Sequence, residues 1–290
     1  MYYYILNPAA GGGRINKIQD RLKSRLKELG IAGEFVKSIG EGDVTKLARL
    51  GIEKGFKTIV AVGGDGTINE VINGLTNTNV ALGIIPIGNS NELAKTLGIN
   101  DWQAACNILA ARKIEEVDLG KIGKKFFVTS VNIGFEAESS GLRYDDQNVF
   151  QKIKSFQKAF SWATKYKSQN ATLFFDDKYS VETDFFNIQV SNGQFVNFLK
   201  HGNLPQDNKL DVIILAKMPY GKTLKYLLNT RNLDEKKKLS FSLFRTKRVL
   251  IKTPKPADVA IDGLVCGKTP IICEVANQKL KVIVSKKRKF

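Results

Sequence analysis

Apolar runs alternate with amphipathic stretches along the first 120 residues of the chain. Three runs, at 2–6, 58–62 and 80–87, show no polar alternation, which is typical of parallel strands buried on both faces. Apolar residues recur at helical spacing after these runs, for example from Ile68 to Leu75. We therefore predict an α/β domain over residues 1–120, with a parallel sheet and helices on both of its faces.

The pattern changes near Asp118. Short runs rich in Val, Ile and Phe follow, separated by turns, which is the pattern of an antiparallel sandwich or barrel. They lie at 126–132, 171–175, 185–191, 210–216, 240–244, 249–252, 259–262, 271–275 and 280–284. Two predicted helices, near 150–163 and 224–228, interrupt this series of strands. We predict a β-rich, mostly antiparallel β-sandwich domain over residues 121–290. Its last strand belongs either to this sandwich or to the sheet of the first domain.

Glycine- or asparagine-rich turns follow three of the predicted strands, at residues 7–13, 63–66 and 88–92. The carboxyl ends of parallel strands meet at one edge of a sheet, where such sheets bind ligands. Free N–H groups at the start of a helix, which a ligand can approach closely over glycines, form an anion site. The three turns together predict a nucleotide site.

Asp65 is the unusual residue of the second turn. A carboxylate repels phosphates unless a cation lies between them, so we interpret Asp65 as a holder of Mg²⁺ for a nucleotide triphosphate. The alternative is that Asp65 caps its helix and the glycines only make a tight turn. The common nucleotide fingerprints do not fit the first turn, because Asn16 stands where GxGxxG requires its last glycine.

Positive charge is concentrated in the second part of this 290-residue chain. Residues 1–120 carry 14 Lys and Arg against 13 Asp and Glu, whereas residues 121–290 carry 31 against 15. Residues 236–255 contain eight basic residues and no acidic one. This asymmetry predicts an anionic partner for the second part, either nucleic acid or an anionic membrane surface.

Other features of composition predict a cytoplasmic protein. The N-terminal residues lack the basic region and apolar core of a signal peptide, and no run approaches the ~18 apolar residues of a membrane span. Cys106, Cys266 and Cys273 are odd in number and lack CxxC spacing, which suits a reducing compartment. A single histidine, His201, leaves little material for Ser-His-Asp or histidine-based metal chemistry.

Several motifs resemble the diacylglycerol-kinase catalytic family of soluble lipid kinases. Asn7-Pro8-Ala9 with Gly11-Gly12 resembles the opening motif of that family, and Gly63-Gly64-Asp65-Gly66-Thr67 with Asn69-Glu70 resembles its signature. The turn from Pro86 to Glu92, followed by Leu97-Gly98, is similar to a third family motif. Segments 117–120, 132–136, 191–193 and 262–263 continue in family order. The Gly-Gly-Asp-Gly-Thr segment is shared with NAD kinases, whereas the opening and the third motif favour lipid kinases.

The resemblance implies an ATP-binding α/β domain followed by a β-rich lipid domain. It assigns nucleotide contacts to the glycine-rich turns and their surroundings. The residues concerned are Asn7, Pro8, Gly11, Gly12, Ser38, Gly63, Gly64, Asp65, Gly66, Thr67, Asn69, Glu70 and Asn89. Asn89 stands where the family usually has threonine, and its amide still forms hydrogen bonds.

The resemblance also implies a second Mg²⁺ loop and a catalytic Asp-Gly-Glu. The loop corresponds to residues 206–211, in which Asp207 survives but a neighbouring acid and a glycine are replaced. The catalytic motif appears as Asp262-Gly263-Leu264, without the glutamate. We place the proton acceptor at Asp262, since phosphoryl transfer depends more on positioning and charge neutralisation than on a strong base. The alternative is a hairpin turn at Asp262 between strands 259–261 and 271–275.

The predicted function is that of an ATP- and Mg²⁺-dependent kinase that phosphorylates a lipid hydroxyl at a membrane surface. Diacylglycerol is the first candidate substrate, ahead of a sphingoid base or phosphatidylglycerol. The alternative from a different class is a catalytically weak lipid-binding homologue. It is suggested by three departures from the family motifs, at Leu264, Asn208 and Asn89. A nucleic-acid binder, which rests on charge alone, and an NAD kinase come next. The predicted location is the cytoplasmic face of a membrane, and the oligomeric state stays open, with a homodimer as one option.

Overall fold

The computed structural model describes residues 2–40, 42–89, 91–139, 166, 168–192, 206–216 and 241–286. The chain divides into two compact units. The first comprises Met1–Thr129, His201–Asn208 and Ala276–Phe290, and the second comprises Ser130–Lys200 and Lys209–Val275. The helices predicted near 150–163 and 224–228, the basic run 236–238 and the basic tail 287–289 lie outside the described residues.

A parallel sheet with the strand order β4–β3–β1–β2 forms the centre of the first unit. Its strands are β1 (Tyr2–Leu6), β2 (Gly33–Lys37), β3 (Thr58–Gly63) and β4 (Ala81–Pro86). Every residue of β1, β3 and β4 is buried, as expected for apolar strands that are covered on both faces.

Five helices follow the strands of the first unit. They are α1 (Arg14–Glu28), α2 (Asp43–Glu53), α3 (Asp65–Leu75), α4 (Glu92–Thr96) and α5 (Trp102–Ala111). The helical spacing of apolar residues after the three apolar runs predicted α1, α3 and α4. It missed α5, whose start is defined by a cap: the Asp101 carboxylate accepts a hydrogen bond from the Ala104 N–H at 2.7 Å.

The first unit is completed by β5 (Ile114–Ile122), β6 (Lys125–Phe127) and the end of the long strand β15 (Ile271–Ile283). β5 and β6 form an antiparallel hairpin, and β15 pairs with β5 and, in parallel, with β4 at Val282 and Leu82. The prediction of separate strands at 271–275 and 280–284 was wrong. The polar residues between them continue the strand, and the Gln278 Oε1 atom accepts a hydrogen bond from the Asn77 N–H at 2.9 Å.

The second unit is a mostly antiparallel assembly around the 14-residue strand β9. Its elements are β7 (Ser130–Gly134), α6 (Phe135–Ser139), β8 (Gln169–Phe175), β9 (Tyr179–Asn192), β10 (Leu210–Ala216), β11 (Phe241–Thr246), β12 (Arg248–Lys252), β13 (Asp258–Ile261) and β14 (Leu264–Lys268). β9 pairs with β7, β8 and β10, and β13 lies between β7 and β14.

The predicted fold class, a parallel α/β part followed by a mostly antiparallel β part, is confirmed. Two details differ. The predicted run 126–132 consists of two strands, β6 and β7, and the Asp262-Gly263 turn joins β13 to β14 rather than to residues 271–275. Within the described parts of the chain, no helix is both long enough and apolar enough to cross a membrane.

Candidate functional site

Three turns meet at the carboxyl edge of the parallel sheet in the first unit. The first turn (residues 7–13) follows β1, the second (Gly63 and Gly64) ends β3, and the third (around Gly88 and Asn91) follows β4. Backbone hydrogen bonds join them: the Asn7 N–H donates to the Val62 carbonyl at 3.1 Å, and the Ile87 N–H donates to the Gly63 carbonyl at 2.9 Å. The edge at which such sheets bind ligands is therefore built from these turns.

The first turn contains three consecutive residues in the left-handed region, Gly11, Gly12 and Gly13, with φ values of 59°, 69° and 78°. Glycine adopts this conformation without steric cost. The Asn7 side chain shapes the turn from both ends of its amide: Oδ1 accepts from the Ala9 N–H at 3.0 Å, and Nδ2 donates to the Thr67 Oγ1 atom at 2.9 Å. Asn7 and Thr67 thus connect the first two turns.

The third turn packs against the other two so closely that side chains are excluded. A Cβ atom on Gly11 would lie 2.1 Å from the Ile87 carbonyl oxygen, and one on Gly88 would lie 2.5 Å from the Gly64 Cα atom. These contacts are to backbone atoms, which cannot swing aside. The glycines therefore set the distances between the three turns.

Replacing Gly11 with alanine is expected to weaken Mg²⁺–ATP binding and to lower the stability of the fold. The added methyl group clashes with backbone in addition to the strain of its positive φ. Gly123→Ala is the matched control, because Gly123 has a φ of 55° and nothing within 4 Å of its added Cβ. The control should lose only about 1–2 kcal/mol of stability from backbone strain. Calorimetry and thermal unfolding measure both effects, and equal results for the two variants would contradict this role of Gly11.

Asp65 is the first residue of α3, and Gly64, in an extended conformation, is its N-cap without a side-chain hydrogen bond. The alternative interpretation, in which Asp65 caps its own helix, is therefore wrong. The Asp65 carboxylate instead faces the backbone N–H groups of residues 91–93, at the start of α4, which favour its charged form. Asp65 of the second turn thus interacts electrostatically with the third.

The environment of Asp65 fits a cation. Burial raises the pKa of Asp65 above its ordinary value of 3.8, and the N–H groups of residues 91–93 and the charge of Lys95 oppose this rise. The Oδ1 atom is buried and makes no hydrogen bond to any described residue. A carboxylate oxygen in this condition is a donor that Mg²⁺ prefers.

Several residues that were predicted to contact the nucleotide form hydrogen bonds within the first unit. Ser38 is buried after β2, and its Oγ atom donates to the Leu6 carbonyl at 3.4 Å. Asn69 donates from Nδ2 to the Phe126 carbonyl of β6 at 3.3 Å, and the Glu70 carbonyl accepts from the Thr45 hydroxyl at 2.9 Å. The other predicted residues, Pro8, Gly12 and Gly66, lie in the first turn or at the start of α3.

Arg14 was missed by the sequence reasoning. It is the first residue of α1, is exposed, and donates from Nη2 to the Asn89 Oδ1 atom at 3.2 Å. The guanidinium group thus joins the first turn to the third and adds a positive charge at the edge of the sheet. A basic residue directly after a glycine turn was the available signal.

Asp262 lies in the second unit, at the turn between β13 and β14, with φ values of 47° for Asp262 and 81° for Gly263. Its N–H donates to the Ser130 carbonyl at 2.9 Å, and its Oδ1 atom accepts from the Ser130 N–H at 3.1 Å. The hairpin turn is therefore observed, and Asp262 is also half-buried with a carboxylate held in place. Leu264, where the family has glutamate, is 47% exposed.

A face of polar side chains on β7 and β9, hereafter the polar face, ends at Ser130 next to Asp262. Opposed pairs across the two strands place these side chains on one side of the sheet, and all of them are buried. Its members are Ser130, Asn132, Asn187, Gln189 and Ser191. Asn132 donates to the Ser130 hydroxyl at 3.3 Å, and Asn187 donates to the Asn132 Oδ1 atom at 3.4 Å. The individual segments gave no indication of this face, because it arises from strand pairing.

Asp207, the predicted ligand of a second Mg²⁺, is exposed. No group of three or more His, Cys, Asp or Glu side chains in the described ranges has the arrangement of a metal site. The Asp118 carboxylate of β5 accepts a hydrogen bond from the Asn208 N–H of this loop at 2.7 Å.

Comparison with known proteins agrees with the motifs of the turns. The family model of the diacylglycerol kinase catalytic domain matches residues 1–122. Residues 1–122 are therefore similar to this catalytic domain. The predicted resemblance is confirmed for this part of the chain, and the match covers all three turns of the candidate site.

Relatives of this kinase family extend over nearly the whole chain. A diacylglycerol kinase of Staphylococcus saprophyticus is 24% identical over 279 residues, covering 92% of this chain and 89% of that protein. A diacylglycerol kinase of Bacillus subtilis is also 24% identical, covering 92% and 90%.

Solved structures share the fold. The crystal structure of a diacylglycerol kinase from Bacillus anthracis superposes with a TM-score of 0.77 at 22% identity, covering 98% of this chain and 97% of that one. An NAD kinase from Archaeoglobus fulgidus in complex with ATP gives a TM-score of 0.58 at 14% identity, covering 99% and 95%. The similarity to the NAD kinase concerns the fold alone.

Proposed function

We propose that this protein is an ATP- and Mg²⁺-dependent lipid kinase that transfers a phosphoryl group to a lipid hydroxyl, with diacylglycerol as the first candidate substrate. The observation that carries the proposal is the convergence of the three turns at the carboxyl edge of the parallel sheet. Their mutual contacts pre-organise the backbone for close approach by phosphates. The family match over the same residues supports a kinase rather than another nucleotide-binding protein.

The described residues divide the work of phosphoryl transfer between binding and positioning. The N–H groups of the first and second turns bind phosphate oxygens, and Arg14 adds positive charge at the same edge. Asp65 would hold Mg²⁺, which supplies charge neutralisation to the triphosphate. Asp262 accepts the proton of the lipid hydroxyl, and its bond to the Ser130 N–H keeps the carboxylate oriented.

The polar face supports a neutral head group on the lipid. Its five side chains are amides and hydroxyls, which bind hydroxyl and ester groups and carry no charge to pair with an ion. Phosphatidylglycerol brings an anion, which these neutral side chains do not compensate and which the Asp262 carboxylate next to the polar face would repel. A sphingoid base brings a cation, with which the five side chains themselves do not pair. Diacylglycerol carries neither charge.

The test is turnover by purified protein with labelled ATP, Mg²⁺ and a panel of lipids in anionic mixed micelles. We expect phosphorylation of diacylglycerol above that of a sphingoid base or phosphatidylglycerol. NAD and lipid-free reactions are the controls. Phosphorylation of NAD alone, or ATP hydrolysis that no lipid changes, would contradict the proposal.

A catalytically weak lipid-binding homologue is the second candidate, because exposed Leu264 replaces the glutamate of the family motif. Leu264→Glu separates the two candidates. A lipid-binding protein should show lipid-dependent binding without turnover, and the substitution should then restore activity. A kinase that relies on Asp262 should already turn over with Leu264 in place.

The proposed membrane contact must use basic residues that are not engaged within the second unit. The Arg245 guanidinium pairs with Asp211 at 2.8 Å, where the Asp211 side chain is only 7% exposed, and Arg248 pairs with Asp177 at 2.6 Å. Neutralising either arginine would disturb these pairs, and for Asp211 would leave a buried carboxylate unpaired. Lys247, Lys252 and Lys255 are exposed and form no salt bridge with another described residue, although the Lys252 ammonium lies 5.2 Å from the centre of the Phe174 ring. They are better suited to the test than the two arginines.

Changing Lys247, Lys252 and Lys255 together to glutamine is expected to reduce binding to anionic vesicles on the order of 100-fold, since basic residues near an anionic surface contribute about 1 kcal/mol each. Co-sedimentation with vesicles of increasing anionic content measures the effect, and added salt should weaken binding. The control changes three exposed lysines of the first unit, Lys17, Lys27 and Lys46. Equal binding to neutral and anionic vesicles, or tight binding to duplex DNA at physiological salt, would overturn this assignment.

A further inference from the structure

A deeply buried carboxylate lies in the first unit, away from the three turns. Asp118, in the middle of β5, is 2% exposed. A buried carboxylate is unfavourable unless hydrogen bonds and an opposite charge compensate it. Both kinds of compensation are present here.

Each oxygen of Asp118 has a distinct partner. Oδ2 accepts a hydrogen bond from the Asn208 N–H at 2.7 Å, and Oδ1 lies 3.3 Å from the Lys279 ammonium nitrogen. Lys279 belongs to β15, which pairs with β5. A further bond, from the Gln206 side chain to the Glu116 carbonyl at 2.7 Å, holds the same segment on β5. Residues 206–208 are therefore attached to β5 through Asp118 and its surroundings.

A divalent cation does not fit this arrangement. Mg²⁺ requires a near-octahedral set of oxygen ligands, usually one or two carboxylates together with several waters. Asp207 of the predicted metal loop is exposed, and the described part of the chain contains no acidic cluster of the required kind. The ammonium of Lys279 already lies beside Asp118, so a metal ion at this carboxylate would face a like charge.

We propose that Lys279 serves as a built-in cation: its ammonium group neutralises Asp118 and keeps residues 206–208 on β5 without a divalent metal. The attachment is then independent of the free Mg²⁺ concentration. A consequence for catalysis, which rests on the proposed kinase function, is that turnover requires Mg²⁺ only for the nucleotide.

Thermal unfolding of the full chain without nucleotide or lipid tests the role of Lys279 separately from any kinase activity. The wild-type midpoint should be the same in excess EDTA and in millimolar Mg²⁺. Lys279→Met should lower it by about 3–10 °C, the range expected when a half-exposed partner of a buried charge is removed. Lys279→Arg should retain most of the wild-type midpoint.

Two further variants separate charge compensation from packing. Lys281→Met is the matched control, because Lys281 lies two residues further along the same strand and, among the described residues, donates only to the neutral Asn79 side chain at 3.2 Å. Its midpoint should change little. The double variant Asp118→Asn/Lys279→Met should recover part of the loss of Lys279→Met, since no unpaired charge remains.

Hydrogen exchange gives a local measurement. The peptide that covers Gln206 to Asn208 should exchange slowly in wild-type protein in EDTA and faster in Lys279→Met. Stabilisation of the wild type by Mg²⁺, or equal midpoints for Lys279→Met and Lys281→Met, would overturn the proposal.

Discussion

Replacing Asp65 with asparagine is expected to abolish Mg²⁺–ATP binding while the protein stays folded. The amide keeps the shape of the side chain and a polar oxygen facing the N–H groups of residues 91–93, but it lacks the charge that a metal ligand requires. We expect the affinity for Mg²⁺–ATP, measured by calorimetry, to fall by more than about 100-fold. Changing a residue that only hydrogen-bonds to a metal ligand typically costs about 10- to 100-fold.

The pH dependence of stability provides a second measurement on the same variant. Burial raises the pKa of Asp65 in the folded state above its unfolded value, so folding favours the protonated form. The stability that Asp65 contributes is present below the unfolded pKa and is lost as the pH rises through the folded pKa. Asp65→Asn lacks this loss and should be at least as stable as wild type at neutral pH.

Asp43→Asn is the matched control for Asp65, because Asp43 also begins a helix and its carboxylate accepts a hydrogen bond from the Ile39 N–H at 3.0 Å. It should bind nucleotide normally. Unchanged Mg²⁺–ATP affinity in Asp65→Asn would reduce Asp65 to an acceptor that holds the third turn in place.

Asp262→Asn is expected to lower lipid-dependent turnover by about 10²–10⁴-fold with nucleotide affinity unchanged. Asparagine tolerates the positive φ of this position and keeps an oxygen for the Ser130 N–H, so the turn is preserved. Initial rates with labelled ATP, together with calorimetry, separate the two quantities.

Asp184→Asn, a change at an exposed position in the first half of the long strand β9, is the control for Asp262 and should leave turnover unaltered. Near-normal turnover in Asp262→Asn would remove this carboxylate from the chemistry. Another acid would then have to accept the proton.

Local patterns predicted most of the fold. β1 and β3 were recognisable because strands covered on both faces consist almost entirely of apolar residues, and no other element has that pattern at this length. The glycine turns were recognisable because a left-handed backbone and close backbone contacts leave few alternatives to glycine, as at Gly11. In both cases the physical cause lies within a few residues.

Features that depend on distant residues could not be predicted from the sequence. The contact of Asp65 with residues 91–93 and the bond of Arg14 to Asn89 join turns that are far apart along the chain. The attachment of Asp118 to Lys279 joins two strands that are far apart in the sequence. Such pairs follow from strand order, which local periodicity does not contain.

The pairing of β15 with the first unit determines which fragment of the chain can be expressed as an isolated α/β domain. Val282 of β15 pairs with Leu82 of β4, and the Ser285 N–H donates to the Leu97 carbonyl at 3.2 Å. A fragment that ends at residue 120 would lose this strand and present the apolar edge of β4 to other chains, which favours aggregation. A circular permutant that joins residues 276–286 to Tyr2 through a new linker would keep the edge covered within one short polypeptide.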